Sequence, residues 1–167
     1  MSIDILKNFM LTADGFGEVG LIDEYTPPSL EILTESIRGG GMDSEDAVDM
    51  GMAPMEVTFK MNGYHLDILK MWGLGEGTTK PLTARGWLQD EDGTNTALVH
   101  NMTARILKVE QDTWKAGEKS GVVITARLRF FKATHGSTVI HEIDVKGATR
   151  IIGGVDQLTG MRTTLGL

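Results

Sequence analysis

At 167 residues, with 41% apolar and 23% charged side chains, the chain has material for one hydrophobic core, which argues against wholesale disorder. It contains no cysteine, excluding disulfides and thiolate metal sites, and no run of about 18 apolar residues that could span a membrane. The net charge of −7 leaves no basic footprint for gripping phosphates, so neither specific nucleic-acid binding nor membrane insertion is expected.

The charge is unevenly spread: residues 1–60 hold twelve Asp/Glu against three Lys/Arg, residues 61–167 eleven against thirteen. An acidic half and a faintly basic half suit head-to-tail self-association, if the two do not interleave in space. The N-terminus, Met1-Ser2-Ile3-Asp4-Ile5-Leu6-Lys7, lacks the basic-then-apolar pattern of a signal peptide, so synthesis in a cytoplasm is expected.

In chain order, Asp14-Gly15 separates Ile5–Leu11 from Val19–Ile22, a hairpin cue. Pro27-Pro28 breaks the chain before a strand-like Leu30–Leu33. After Pro54, alternation places Met55, Val57, Phe59 and Met61 on one face of a strand. Tyr64–Trp72 reads as one short helix, with Tyr64, Ile68 and Trp72 at i, i+4 spacing and glycines Gly73 and Gly75 ending it. Four strands then follow: Thr83–Asp90, Thr96–Glu110, Val122–Lys132 and Thr138–Val145, joined at Asp92-Gly93, at a polar stretch around Trp114, and at His135-Gly136. Short polar turns between adjacent strands imply an antiparallel meander. In the third of these strands Ile124, Ala126, Leu128 and Phe130 are expected on the buried face, with Thr125, Arg127 and Arg129 opposite. Beyond Val145 the chain runs through a sparsely charged, glycine-punctuated stretch. The expected fold is mainly β, a β-sandwich or barrel of antiparallel strands with one short α-helix, built as a single domain over residues 1–167.

Two segments fit none of these elements. Residues 38–52, Arg38-Gly39-Gly40-Gly41-Met42-Asp43 through Val48-Asp49-Met50-Gly51-Met52, combine a run of three glycines, Gly39–Gly41, with four carboxylates and three methionines. They suit an extended loop, either mobile or acting as an arm that docks on a neighbouring subunit and orders there. The C-terminal segment 146–167 ends on Leu165-Gly166-Leu167, apolar residues that need cover.

Nothing in the chain forms a reaction centre. His141 alternates away from Glu142 and Asp144 along a strand, and His65 and Asp67 face differently on a helix, so no metal site is expected. Gly73-Leu74-Gly75-Glu76-Gly77-Thr78-Thr79-Lys80 lacks the Gly-Lys-Ser/Thr ending of a phosphate loop. No nucleophile elbow is present. No cofactor and no enzymatic activity are expected.

Glu142-Ile143-Asp144, Gly154-Val155-Asp156-Gln157-Leu158 and the terminal Leu165-Gly166-Leu167 resemble, in order, the C-terminus of tail tube proteins from contractile bacteriophages and R-type pyocins. The Arg38–Asp43 and Val48–Met52 blocks are similar to that family's Arg-(Gly/Ala)-Gly-Met-(Asp/Asn) segment and the Val/Ile-Asp-Met/Leu-Gly-Leu/Met run after it. Trp114-Lys115-Ala116-Gly117-Glu118-Lys119 resembles a turn of R-type pyocin tubes. The resemblance implies a protomer that forms hexameric rings stacked helically into a hollow inner tube, in a virion tail or an extracellular tail-like particle. It further implies a surrounding sheath protein, a baseplate initiator, a tape-measure protein and a tail terminator as partners, with DNA passing through the lumen if the particle is a phage. The inter-subunit contacts so implied are Arg38, Gly39, Gly40, Gly41, Met42, Asp43, Asp49, Met50, Met52, Trp114, Gly153, Gly154, Val155, Asp156, Leu158, Leu165 and Leu167. A monomeric or dimeric β-barrel adaptor acting on a protein partner is the other reading that composition allows.

Overall fold

A computed structural model describes residues 2–167. Among these, eleven strands and two short helices form a nine-stranded antiparallel sheet and a separate two-stranded one. The mainly-β expectation holds.

The meander is the frame. Strands β6 (Lys80–Gln89), β7 (Asn95–Gln111), β8 (Val122–His135) and β9 (Thr138–Asp144) pair in sequence order. Strand β1 (Ile5–Ala13) adds to the outer edge of β6, and β2 (Ile22–Thr26) pairs with β5 (Glu56–Met61). The Asp14-Gly15 turn does form, with positive φ at both residues and an Ala13–Phe16 bridge. It does not join two paired strands, however. The register of β1 with β6, whose paired residues lie 69–84 positions further along the chain, buries Leu11 and Ala13 against Leu82 and Ala84, whereas β2 goes to the opposite end of the curved sheet.

The alternation in β5 is as expected: Met55, Val57, Phe59 and Met61 are all buried. They meet Met102, Ala104, Val122, Ile124 and Ala126 on the concave face. Tyr25 on β2 reaches across this hollow, its hydroxyl 3.0 Å from His100 Nδ1 and its ring 6.3 Å from that of Phe9. The end strands β1 and β2 approach without pairing, so the barrel stays open. Burial pushes the Tyr25 hydroxyl pKa up, and burial followed by the charge of His141 pushes that of His100 down.

Strand β8 breaks phase. Leu128 and Phe131 are buried, three apart, and Phe130 is only partly covered, contrary to the expected alternation. The cause is a bulge: Thr103 pairs with Phe130 and Ala104 with Leu128, leaving Arg129 unmatched on β7. At the same residue the free edge of β8 changes partner. Val122–Arg127 pairs with β5, and Phe130–His135 with β9. Leu128 N–H bonds to Met55 O at 2.9 Å, and Arg129 O accepts from Val145 N–H at 2.9 Å, so the sheet forks here into two arms.

The helix α1 is shorter than expected, Leu66–Leu69, and buries Ile68 and, just beyond its end, Met71 rather than a Tyr64–Ile68–Trp72 stripe. Tyr64 and Trp72 are exposed; the Trp72 indole N–H bonds to Leu107 O at 3.0 Å. The C-terminal stretch is not irregular either. It makes β10 (Thr149–Ile152), paired with β9, then β11 (Val155–Asp156) and a second helix, α2 (Thr159–Leu165). Gly153 and Gly154, with φ of 58° and 87°, make the two-residue turn that a tight hairpin requires.

Candidate assembly surface

The segment 38–52 is a structured arm. Strands β3 (Ile32–Ile37) and β4 (Asp46–Met52) form the two-stranded sheet, and only the tip between them is loop. The expected extended loop over 38–52 is therefore corrected: Asp46–Met52 is a strand paired with β3, and residues 38–45 alone are loop. Glu35 pairs with Val48 and Ile37 with Asp46, so these alternate with the pairs Thr34–Asp49 and Ser36–Ala47 on the other face. One face thus carries a row of Leu33, Ile37, Val48 and Met50, 38–55% exposed, rimmed by Glu35 and Asp46. Two strands alone are marginal in water, and this row is the part of the hairpin most in need of cover. The apolar members of β3 were readable as alternating Leu33, Glu35 and Ile37. The strand expected at Leu30–Leu33 runs instead over Ile32–Ile37, which brings Ile37 onto this face.

At the tip, Arg38 Nε donates to Met42 O at 3.4 Å, Gly39 N–H lies 3.2 Å from Met42 Sδ, and Met42 N–H bonds to Gly39 O at 3.3 Å. Gly40 has open space around it, Gly41 adopts φ 84°, and Asp43 is exposed. These residues, Arg38 to Asp43, project at the end of the arm.

At the base, the hairpin meets the C-terminal segment. Asp49 Oδ2 accepts from Arg150 Nη2 at 2.8 Å, and Asp49 Oδ1 accepts from Gly51 N–H at 2.8 Å. The Gly51 hydrogen bond first, and Arg150 second, hold the Asp49 carboxyl below its usual range. Beside this pair lies a half-open cleft of about 860 Å³, in the fork of the sheet. Met50, Met52, Met55, Leu128, Ile143, Val145, Leu158 and Met161 supply its apolar lining, and Asp49, Arg127, Asp144 and Arg150 its charges.

A second ion pair, Arg162 with Asp156, holds the C-terminal segment to itself. Arg162 donates to Asp156 through Nη2 and to Ala148 O through Nη1 at 2.8 Å. Asp156 also accepts from Leu158 N–H at 3.0 Å, and with Arg162 as the main cause its pKa is held down at about 2. Helix α2 buries none of its side chains in the protomer. Val155, Leu165 and Leu167 are 63%, 65% and 76% exposed.

The structure therefore brings Asp49, Met50, Met52 and Leu158 to one cleft, with Asp156 bonded beside it, and puts Gly153, Gly154 and Val155 on the turn next to it. Trp114 lies elsewhere. Its indole N–H donates to Tyr64 OH at 2.7 Å, edge-on to that ring, in a shallow depression with Lys115, Glu118 and Ser120. Arg150 and Arg162 were missed by the sequence reading because their partners are set by folding; only their position among uncharged neighbours hinted at a role.

A family model described as phage tail tube protein FII matches residues 3–166. The chain is 26% identical over 168 residues to the tail tube protein of Escherichia phage P2, covering 97% of this chain and 96% of that protein. It is 25% identical over 142 residues to the major tail tube protein of Serratia phage KSP20, covering 84% of this chain and 82% of that one. Its fold is similar to a chain in the extended sheath–tube complex of PVC, an extracellular contractile injection system, with a TM-score of 0.58 at 13% identity, over 75% of this chain and 87% of that one. A chain of the extended PVC sheath/tube terminator structure is similar at a TM-score of 0.59 and 13% identity, over 75% of this chain and 92% of that one.

Proposed function

The chain belongs to the phage tail tube protein FII family, and from that membership we propose that its protomers close into hexameric rings that stack into the hollow inner tube of a contractile tail or tail-like particle. Its role is structural, as a tail tube subunit. The match over residues 3–166 carries this reading, because it takes in the hairpin arm, the sheet and the C-terminal helix together.

In the tube, residues 1–167 act as one tube-forming domain. The arm, Arg38–Met52, reaches a protomer of the next ring, and Gly153–Leu167 packs on a neighbour. Support comes from what the lone protomer leaves exposed: the Leu33–Met50 row and the Leu165 and Leu167 side chains, which an aqueous surface does not favour. Trp114 contributes a contact on a different side. A sheath protein encloses the tube, a terminator caps it, a baseplate initiator starts it and a tape-measure protein sets its length. The particle is a virion tail or an extracellular tail-like assembly. The subunit needs no cofactor and catalyses nothing; rigidity and a bore are its work. A negative net charge suits a conduit that must not hold DNA phosphates.

Negative-stain electron microscopy of the purified protein, at low and high concentration and with a baseplate nucleus added, tests this. Rings or hollow filaments are expected. Small monodisperse particles under all three conditions would overturn the assignment.

A further inference from the structure

The hairpin arm hangs from the body by few connections. Its strands pair only with each other, and its base is closed by Ala53 N–H to Glu31 O at 2.9 Å. Pro27-Pro28 precedes it and Pro54 follows it. Among the described residues, Asp49–Arg150 is the one side-chain hydrogen bond from the hairpin to the rest of the fold. Beside that bond, only the partly buried Met52 at the foot of β4 packs against the core among the described residues, so the outer part of the arm depends on Arg150 for its angle.

Arg150 is built for this task. Its side chain is only 12% exposed, against 45% for Asp49, so the anchor lies in the body and the arm comes to it. Its backbone pairs with Ile143 of β9, and its carbonyl accepts from Gln157 N–H at 2.8 Å. One residue thus joins three parts: the arm through its guanidinium, the sheet through β9, and the C-terminal segment through Gln157. Both blocks of the proposed assembly surface are tied at this point.

We propose that Arg150 is a positioning residue for tube growth: gripping Asp49, it fixes the angle between the hairpin arm and the C-terminal segment, so that an incoming subunit meets one ready-made surface. The inference rests on the reading that both segments meet neighbouring subunits. A subunit with a free arm presents the binding-competent geometry for only a fraction of the time, and its attachment slows by that fraction. The arm is then aligned before docking, and the ordering entropy is lost during folding rather than at the tube tip.

The test is a double-mutant cycle with Asp49→Asn, Arg150→Met and the two combined. Asn keeps the shape of Asp49, and Met keeps an apolar stem beside the cleft. Amide hydrogen exchange of the unassembled protomer reads the latch directly. Either single variant should speed exchange in residues 32–52 by about two- to fivefold, the range that partly exposed ion pairs support. Core amides in β5 and β8 should stay unchanged, and the double variant should be no faster than the singles. Elongation from preformed wild-type tube ends should slow as well, in proportion to the competent fraction that the loosened arm loses. Additive effects, unchanged hairpin exchange, or wild-type elongation by a variant with a loosened arm would overturn the proposal. Failure of the wild-type protein to elongate would instead sink the tube reading, while the exchange data would still decide whether Arg150 holds the arm.

Discussion

The apolar row on the hairpin gives the sharpest test of where protomers meet. Ile37 and Val48 are 52% and 38% exposed in the protomer, and they lie diagonally across the β3–β4 pair. Burying a whole Ile or Val side chain is worth about 1.5–3 kcal/mol. Covering the part still exposed is therefore worth about 1 kcal/mol for Ile37 and rather less for Val48. Threonine keeps the branch at Cβ and the strand preference but loses apolar surface. At 1.4 kcal/mol per factor of ten, Ile37→Thr should raise the critical concentration for assembly about fivefold, and Ile37→Thr with Val48→Thr about twentyfold. The critical concentration is read as the unassembled plateau when a concentration series is sedimented. The melting temperature should barely move, because neither side chain belongs to the protomer's core. A double variant with the wild-type plateau would show that this row faces water in the tube, and the docking argument would fall.

Replacing Gly39–Glu45 by an Asn-Gly turn should leave a folded protomer, by circular dichroism, that forms no filaments in the electron microscope; normal tubes would remove the tip from the interface. Phe59→Ala empties the centre of a side chain that is 1% exposed and should destabilise the protomer by about 3–5 kcal/mol in urea titration; a loss under about 1 kcal/mol would show that the concave hollow collapses around the gap. His100 has a folded pKa below its unfolded one, so the unfolded chain takes up more protons as pH falls through the ordinary histidine range. Stability should therefore be full above about pH 6.5 and decline on acidification below it, levelling off beneath the folded pKa. His100→Gln should flatten that decline in urea midpoints measured at pH 7.5 and 5.5, and an unchanged slope would assign the acid sensitivity to other groups.

Elements whose partners lie close along the chain were legible from the residues alone. Strict alternation from Met55 to Met61 identified β5 and its buried face, and Asp92-Gly93 and His135-Gly136 marked the ends of meander strands that pair with their successors. The blocks at 38–52 and 153–167 were readable as segments the sheet did not need, and their resemblance to tail tube proteins pointed to the family that the match over 3–166 then showed. Whatever depended on distant partners was settled by packing. Strand β1 left its sequence neighbour β2 for β6 because the Leu11 and Ala13 face had a core to meet there. The switch from Phe130 to Phe131 follows from the bulge at Arg129, which exists only because β8 lies against β7 there. The pairing of the hairpin at 32–52 and the presence of helix α2 were hidden because neither element buries much within the protomer, so no core contact fixes what their faces meet. The Asp49–Arg150 bond spans 101 residues, and no local pattern in a sequence encodes a contact at that separation. Local spacing dictates which residues share a face; only packing against the rest of the chain dictates what that face meets.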